Sequence, residues 1–135
     1  MSFEQINKQD THRPEGRPCL MIYGYDTTEI KQITAFANGM GIEDCVLVTD
    51  TMLGNKIEDI LNNQLIPTPY KTGVKPKSII LNALSNGEVH TFISDFKKLE
   101  LKKPLFAVVT PTSKKWQFGE LLKELVREKM SMSKH

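Results

Sequence analysis

No apolar run in this 135-residue chain approaches the roughly 20 residues that a membrane-spanning helix requires. The opening segment, MSFEQINKQDTHRPEGR, is polar and lacks the apolar centre of a secretory signal. Both absences lead us to expect a cytoplasmic protein with no membrane partner. Cysteine is scarce: Cys19 and Cys45 are the only two, with no CxxC spacing. Each opens an apolar run, where a free thiol behaves as a small buried hydrophobe. The three histidines, His12, His90 and His135, are too scattered to suggest metal ligation, so no metal is expected. Also missing are a GxxxxGK[ST] loop, a G-x-S-x-G elbow, a dinucleotide fingerprint and any nucleophile–base pair. No cofactor is expected, and in so short a chain that silence argues against an enzyme.

What is present is ordinary in amount and uneven in placement. Hydrophobic residues make up 39% and charged residues 25%, which suits one soluble domain with a core of its own. The net charge of +2 hides two opposed halves. Residues 1–70 hold 5 Lys/Arg against 10 Asp/Glu, and residues 71–135 hold 13 against 6. The basic half could attract phosphate or nucleic acid. Its lysines, however, fall in separated pairs, Lys97-Lys98, Lys102-Lys103 and Lys114-Lys115, without interleaved arginine or aromatics. The first two pairs sit at or just beyond a helix C-terminus, where cations complement the helix dipole. A solvated surface is the better reading, and nucleic acid is not an expected partner.

Four apolar runs read as strands: Leu20–Tyr25, Cys45–Thr49, Ser78–Leu84 and Leu105–Thr110. Each is nearly continuous rather than alternating, the pattern of strands covered on both faces in parallel sheets. Helical periodicity covers Thr27–Gly39, Asn55–Asn63, Asn86–Leu99 and Lys115–Met130. The order is therefore βαβαβαβα. The segment 64–77, QLIPTPYKTGVKPK, has three prolines, one glycine and no period, and reads as a linker. We expect a single α/β domain over 18–130, built of βαβα halves at 18–63 and 78–130. Residues 1–17 and 131–135 are expected to be tails.

The halves correspond. At an offset of 59, LMIYGYDTTEI lies over IILNALSNGEV; at an offset of 61, VTDT lies over VTPT. Identities are few, but the class of residue repeats, which suggests a tandem duplication. Right-handed crossovers then give a small four-stranded, mostly parallel sheet flanked by helices, of order 2-1-3-4 or 1-2-4-3. The first order opens a crevice beyond the carboxyl ends of strands 1 and 3. The second brings together the two junctions that follow strands 2 and 4.

Those junctions are where chemistry could sit. After strands 1 and 3 come Asp26-Thr27-Thr28-Glu29 and Ser85-Asn86-Gly87-Glu88. Both fit a capping box, in which Asp26 or Ser85 accepts from a first-turn N–H and the glutamate reaches back. A structural role thus accounts for Glu29 and Glu88, with general-base chemistry as the weaker alternative; His90 stands one turn further on as a candidate acid or base. After strands 2 and 4 come Thr49 and Thr51, and their counterparts Thr110 and Thr112. Thr110, Thr112, Ser113, Lys114 and Lys115 could dress a helix N-terminus that holds an anion. The same hydroxyls serve equally as helix caps, and Trp116 would close the last helix onto the sheet.

The stretch LFAVVTPTSKKWQFGELLKELVREK, with the preceding SIILNALSNGEVHTFISDFKK, resembles a bacterial family known only as domain of unknown function 3783. The residues carrying the resemblance are Glu88, Ala107, Thr110, Pro111, Thr112, Trp116, Leu121 and Leu122, over residues 78–128. Ser113 or Lys114 stands where the family pattern has asparagine. The first half, with Asp50 for the proline and Asn55 for the tryptophan, looks like a degenerate copy. The resemblance implies no activity, substrate or cofactor. The expected function is a non-catalytic binding or regulatory module for an unidentified small molecule or protein. An exposed edge in so small a sheet adds the expectation of a homodimer. The alternative is a small enzyme or nucleotide/phosphate binder using the threonine junctions.

Overall fold

The structure, a computed structural model, describes residues 12–71 and 75–133. Four strands and four helices alternate: β1 (Cys19–Tyr23), α1 (Thr27–Gly39), β2 (Cys45–Leu47), α2 (Ile57–Leu61), β3 (Ser78–Asn82), α3 (Asn86–Asp95), β4 (Leu105–Val108) and α4 (Phe118–Ser133). The helical period read over Asn86–Leu99 divides, because the chain tightens into a 3₁₀ turn over Phe96–Leu99 and stops at Glu100 in the left-handed region. The last helix starts three residues later than its period suggests. Ser113–Lys115 form a 3₁₀ turn and Trp116 is extended, so the regular ladder begins at Phe118.

The sheet order is β2-β1-β3-β4, the first of the two arrangements anticipated. Strands β1 and β2 are parallel, as are β3 and β4, but β1 and β3 run antiparallel. The sheet is therefore mixed, and the expectation of a mostly parallel sheet is corrected. Continuous apolar runs report cover on both faces, not direction, and a 14-residue linker can return the chain either way. One consequence is immediate. The carboxyl ends of β1 and β3 lie at opposite ends of the sheet, so the crevice expected beyond both does not form.

Each half contributes one helix to each face. Leu20, Ile22, Ile79 and Leu81 point to α1 and α3, where they bury with Ile33, Ala37, Phe92 and Phe96. Cys19, Met21, Tyr23 and Ile80 point to α2 and α4, against Ile57, Ile60, Phe118 and Leu122. Strand alternation sorts the two sets, and burying each large apolar side chain contributes about 1.5–3 kcal/mol. In the middle of the sheet Met21 lies opposite Ile80, 59 residues on. Leu20 pairs with Cys45, and Ile79 with Phe106, so the outer strands take matching registers. Beneath the α2/α4 face Lys56 bridges Gln117: the Ile57 N–H donates to the Trp116 carbonyl and the Phe118 N–H to the Asn55 carbonyl, both at 2.9 Å.

Ahead of β1, Arg17 is held by Asp44 and the Leu61 carbonyl, and Arg13 by Glu88 and the Gly41 carbonyl. Of the tails expected over 1–17 and 131–135, the described parts are corrected: Arg13 and Arg17 are anchored by these contacts and α4 runs on to Ser133, while 1–11 and 134–135 lie outside the described residues. No described helix is long and apolar enough to cross a membrane.

Candidate functional site

Both capping boxes form as their spacing requires. Asp26 accepts from the Glu29 N–H at 2.8 Å, and Glu29 accepts from the Asp26 N–H at 2.9 Å. Ser85 and Glu88 make the same exchange at 3.1 and 2.9 Å. Each glutamate also meets a cation from across the sheet. Arg13 clamps Glu88, with Nη2 2.6 Å from Oε2, and Lys77 Nζ lies 3.2 Å from Glu29 Oε1. The antiparallel β1–β3 pair explains these contacts. The helix leaving one central strand starts beside the segment that enters the other. Arg13 holds the Glu88 carboxyl below its usual range, against a smaller upward push from burial. His90 is exposed on α3, and its carbonyl accepts from the Ser94 hydroxyl at 2.8 Å.

The threonine junctions lie at the ends of β2 and β4, which are opposite edges of the sheet and run in opposite directions. The structure does not bring them together. At the second junction Thr110 Oγ1 accepts from the Ser113 N–H and Ser113 Oγ accepts from the Thr110 N–H, both at 2.9 Å. That reciprocal pair occupies the polar groups nearest the turn, and Ser113 is buried. Thr112, Lys114 and Lys115 are exposed around it. At the first junction Thr49 and Thr51 share a hydroxyl–hydroxyl bond of 3.0 Å. Asp50 between them accepts from Tyr23 at 2.7 Å and from Lys75 at 2.6 Å. Trp116 packs at the margin of the α2/α4 core and lines a shallow cleft of about 410 Å³ with Tyr70 and charged residues of α4.

A different set of side chains converges in space. Between the start of β4 and the end of α4 lies a cleft of about 360 Å³, lined in part by Lys75, Lys77, Lys102, Lys103 and Lys129. No carboxylate is among its lining residues; Pro76, Leu105 and Val126 give it an apolar floor. Lys75 and Lys77 are anchored from behind by Asp50 and Glu29, and Lys77 also lies 4.7 Å over the Tyr25 ring. These contacts hold both ammonium groups against carboxylates that do not line the cleft. Lys102 and Lys103 project exposed from the loop before β4.

The half of the molecule carrying this cleft and the second junction is the half that has known counterparts. Residues 77–132 match the family described as domain of unknown function (DUF3783). The match takes in β3 through α4, and with it Glu88, Thr110, Pro111, Thr112 and Trp116. No curated protein and no solved structure matches the chain. Within the matched residues, Lys77, Lys102, Lys103 and Lys129 line the cleft, while Lys75 lies just before them.

Sequence reasoning missed the cleft lysines as a site. In the sequence Lys102 and Lys103 fall just beyond a helix end, Lys75 and Lys77 in a linker, and Lys129 within the last helical period. Three separate segments supply them, and only the sheet order brings β4 beside the segment before β3. The available signal was the density of lysine without carboxylate in 71–77 and 101–105. Among the described residues, no group of three His, Cys, Asp or Glu side chains could hold a metal ion.

Proposed function

We propose that this chain is a non-catalytic cytoplasmic binding or regulatory module whose ligand is an anion held in the lysine cleft between β4 and α4. The observation that supports the reading is one cleft of about 360 Å³ lined by five lysines, of which Lys75 and Lys77 are already paired with Asp50 and Glu29 while Lys102 and Lys103 stand exposed. Charges that share a concave surface raise the local concentration of an opposite charge. An apolar floor beneath them suits a ligand with an uncharged body and an anionic end. The side chains with the best claim to chemistry support binding over catalysis. Glu29, Glu88, Thr110 and Ser113 are all engaged with backbone N–H groups of their own turns.

The same reading includes a tandem duplication of one βαβα unit. Met21 pairs with Ile80 at the offset of 59 that aligns the halves, and Lys56 bridges Gln117 at the offset of 61. One copy then kept its lysines and the other became acidic. Amide spectra of labelled protein titrated with inorganic pyrophosphate, and separately with oligoglutamate, test the binding reading. Shifts gathered on residues 75–77, 102–105 and 126–130 are expected with at least one probe. Shifts gathered instead on Thr110–Lys115 would favour a phosphate site at the junction, and no shift with either probe would sink both.

A further inference from the structure

We propose that the open edge of β4 takes an extended acidic segment of a partner polypeptide as a fifth strand, a step that rests on the lysine cleft being an anion site. The geometry starts at the backbone. The Leu105 N–H donates to Lys77 and the Val109 N–H to Leu81, so odd-numbered residues of β4 face β3. Strand alternation then turns the N–H and C=O groups of Phe106 and Val108 outward. Val108 is 45% exposed although it is apolar and in a strand. A second cleft, of about 430 Å³, runs along Pro104, Leu105 and Phe106 towards Leu125, Glu128 and Lys129 on α4, so it holds one carboxylate beside its two lysines. It shares Lys103, Leu105 and Lys129 with the first, so the two form one groove beside the edge.

Charge selects the occupant. Lys102 and Lys103 precede β4, and Lys114 and Lys115 follow it, which places cations at both ends of a strand roughly 13 Å long. An extended segment with carboxylates at its ends and β-branched residues between would meet all of these features. Backbone bonds would supply affinity and the lysines would supply selection. The other edge is a built-in contrast. In β2 the residues turned outward are Cys45 and Leu47, and Leu47 is 48% exposed, but the flanking residues are Glu43, Asp44 and Asp50. Two copies joined β4 to β4 would set lysine against lysine. A second copy's β2 is a poor substitute, because Asp44 is already paired with Arg17 and Asp50 with Lys75.

The test uses the full chain and a peptide of about nine residues with two glutamates at each end and valines and threonines between. Amide exchange at Phe106 and Val108 should slow by about tenfold or more on peptide addition, with Cys45 and Leu47 unchanged. A peptide of the same charge, N-methylated at alternate central residues, should give no such protection. Equal binding of both peptides without protection of β4 would overturn strand addition while leaving the anion cleft standing. Protection of both edges in concentrated protein without peptide would identify self-association as the occupant instead. Binding of neither peptide, together with silence to pyrophosphate, would remove the cleft reading as well.

Discussion

At the scale of single residues, Glu88 joins two halves of the account. Its carboxylate caps α3 and accepts the Arg13 guanidinium, which depresses its pKa. A depressed carboxyl stabilises the fold above its ordinary pKa near 4.5 and loses that contribution as pH falls through the folded value. Glu88→Gln keeps a cap acceptor and removes the ion pair. We expect a loss of about 0.5–1 kcal/mol near pH 7, discounted because Arg13 is partly exposed, and a smaller loss near pH 3. Urea unfolding at the two pH values measures the difference. Gly54 is a steric case: a Cβ there would run into the Thr68 backbone carbonyl. Gly54→Ala should cost about 1–3 kcal/mol by the same assay, through overpacking. Cys19 behaves as its apolar context implied, with its thiol fully buried and pushed up to about 12 chiefly by desolvation.

At the scale of elements, local pattern was the reliable guide. Asp26-x-x-Glu29 and Ser85-x-x-Glu88 announced two helix starts, and both boxes form at those residues. Replacing either cap by alanine should lower stability by about 1 kcal/mol, and the two losses should add because the helices are separate. Thermal unfolding of the two single variants and the double variant checks both magnitude and additivity. What local pattern could not show was termination by tertiary packing. Nothing in the periodicity of Phe92, Phe96 and Leu99 distinguishes an α turn from the 3₁₀ turn that closes at Glu100. Likewise the pull of Phe118 into the core, with its N–H on Asn55, sets the true start of α4.

At the scale of the whole molecule, topology decided what the sequence left open. Continuous apolar strands gave the same reading for either direction of β3, and the antiparallel pairing separates the threonine junctions to opposite edges. The same pairing places the segment before each central strand beside the helix that leaves the other. It brings Arg13 to Glu88 and Lys77 to Glu29. The lysine cleft was illegible for a related reason: its cations are 25 or more residues apart in sequence between segments and meet only across β3 and β4. In this reading the cleft lysines, and not those of the threonine junction, hold a small anionic ligand. Calorimetric titration of pyrophosphate, a compact anion that cannot span β4, into the wild type, Lys102→Ala/Lys103→Ala and Lys114→Ala/Lys115→Ala provides the test. Both double variants remove the same net charge from exposed positions, so non-specific attraction falls equally in each. Binding should weaken by about tenfold or more in the first variant and change by no more than about twofold in the second. Equal losses, or a larger loss from the second variant, would contradict this reading.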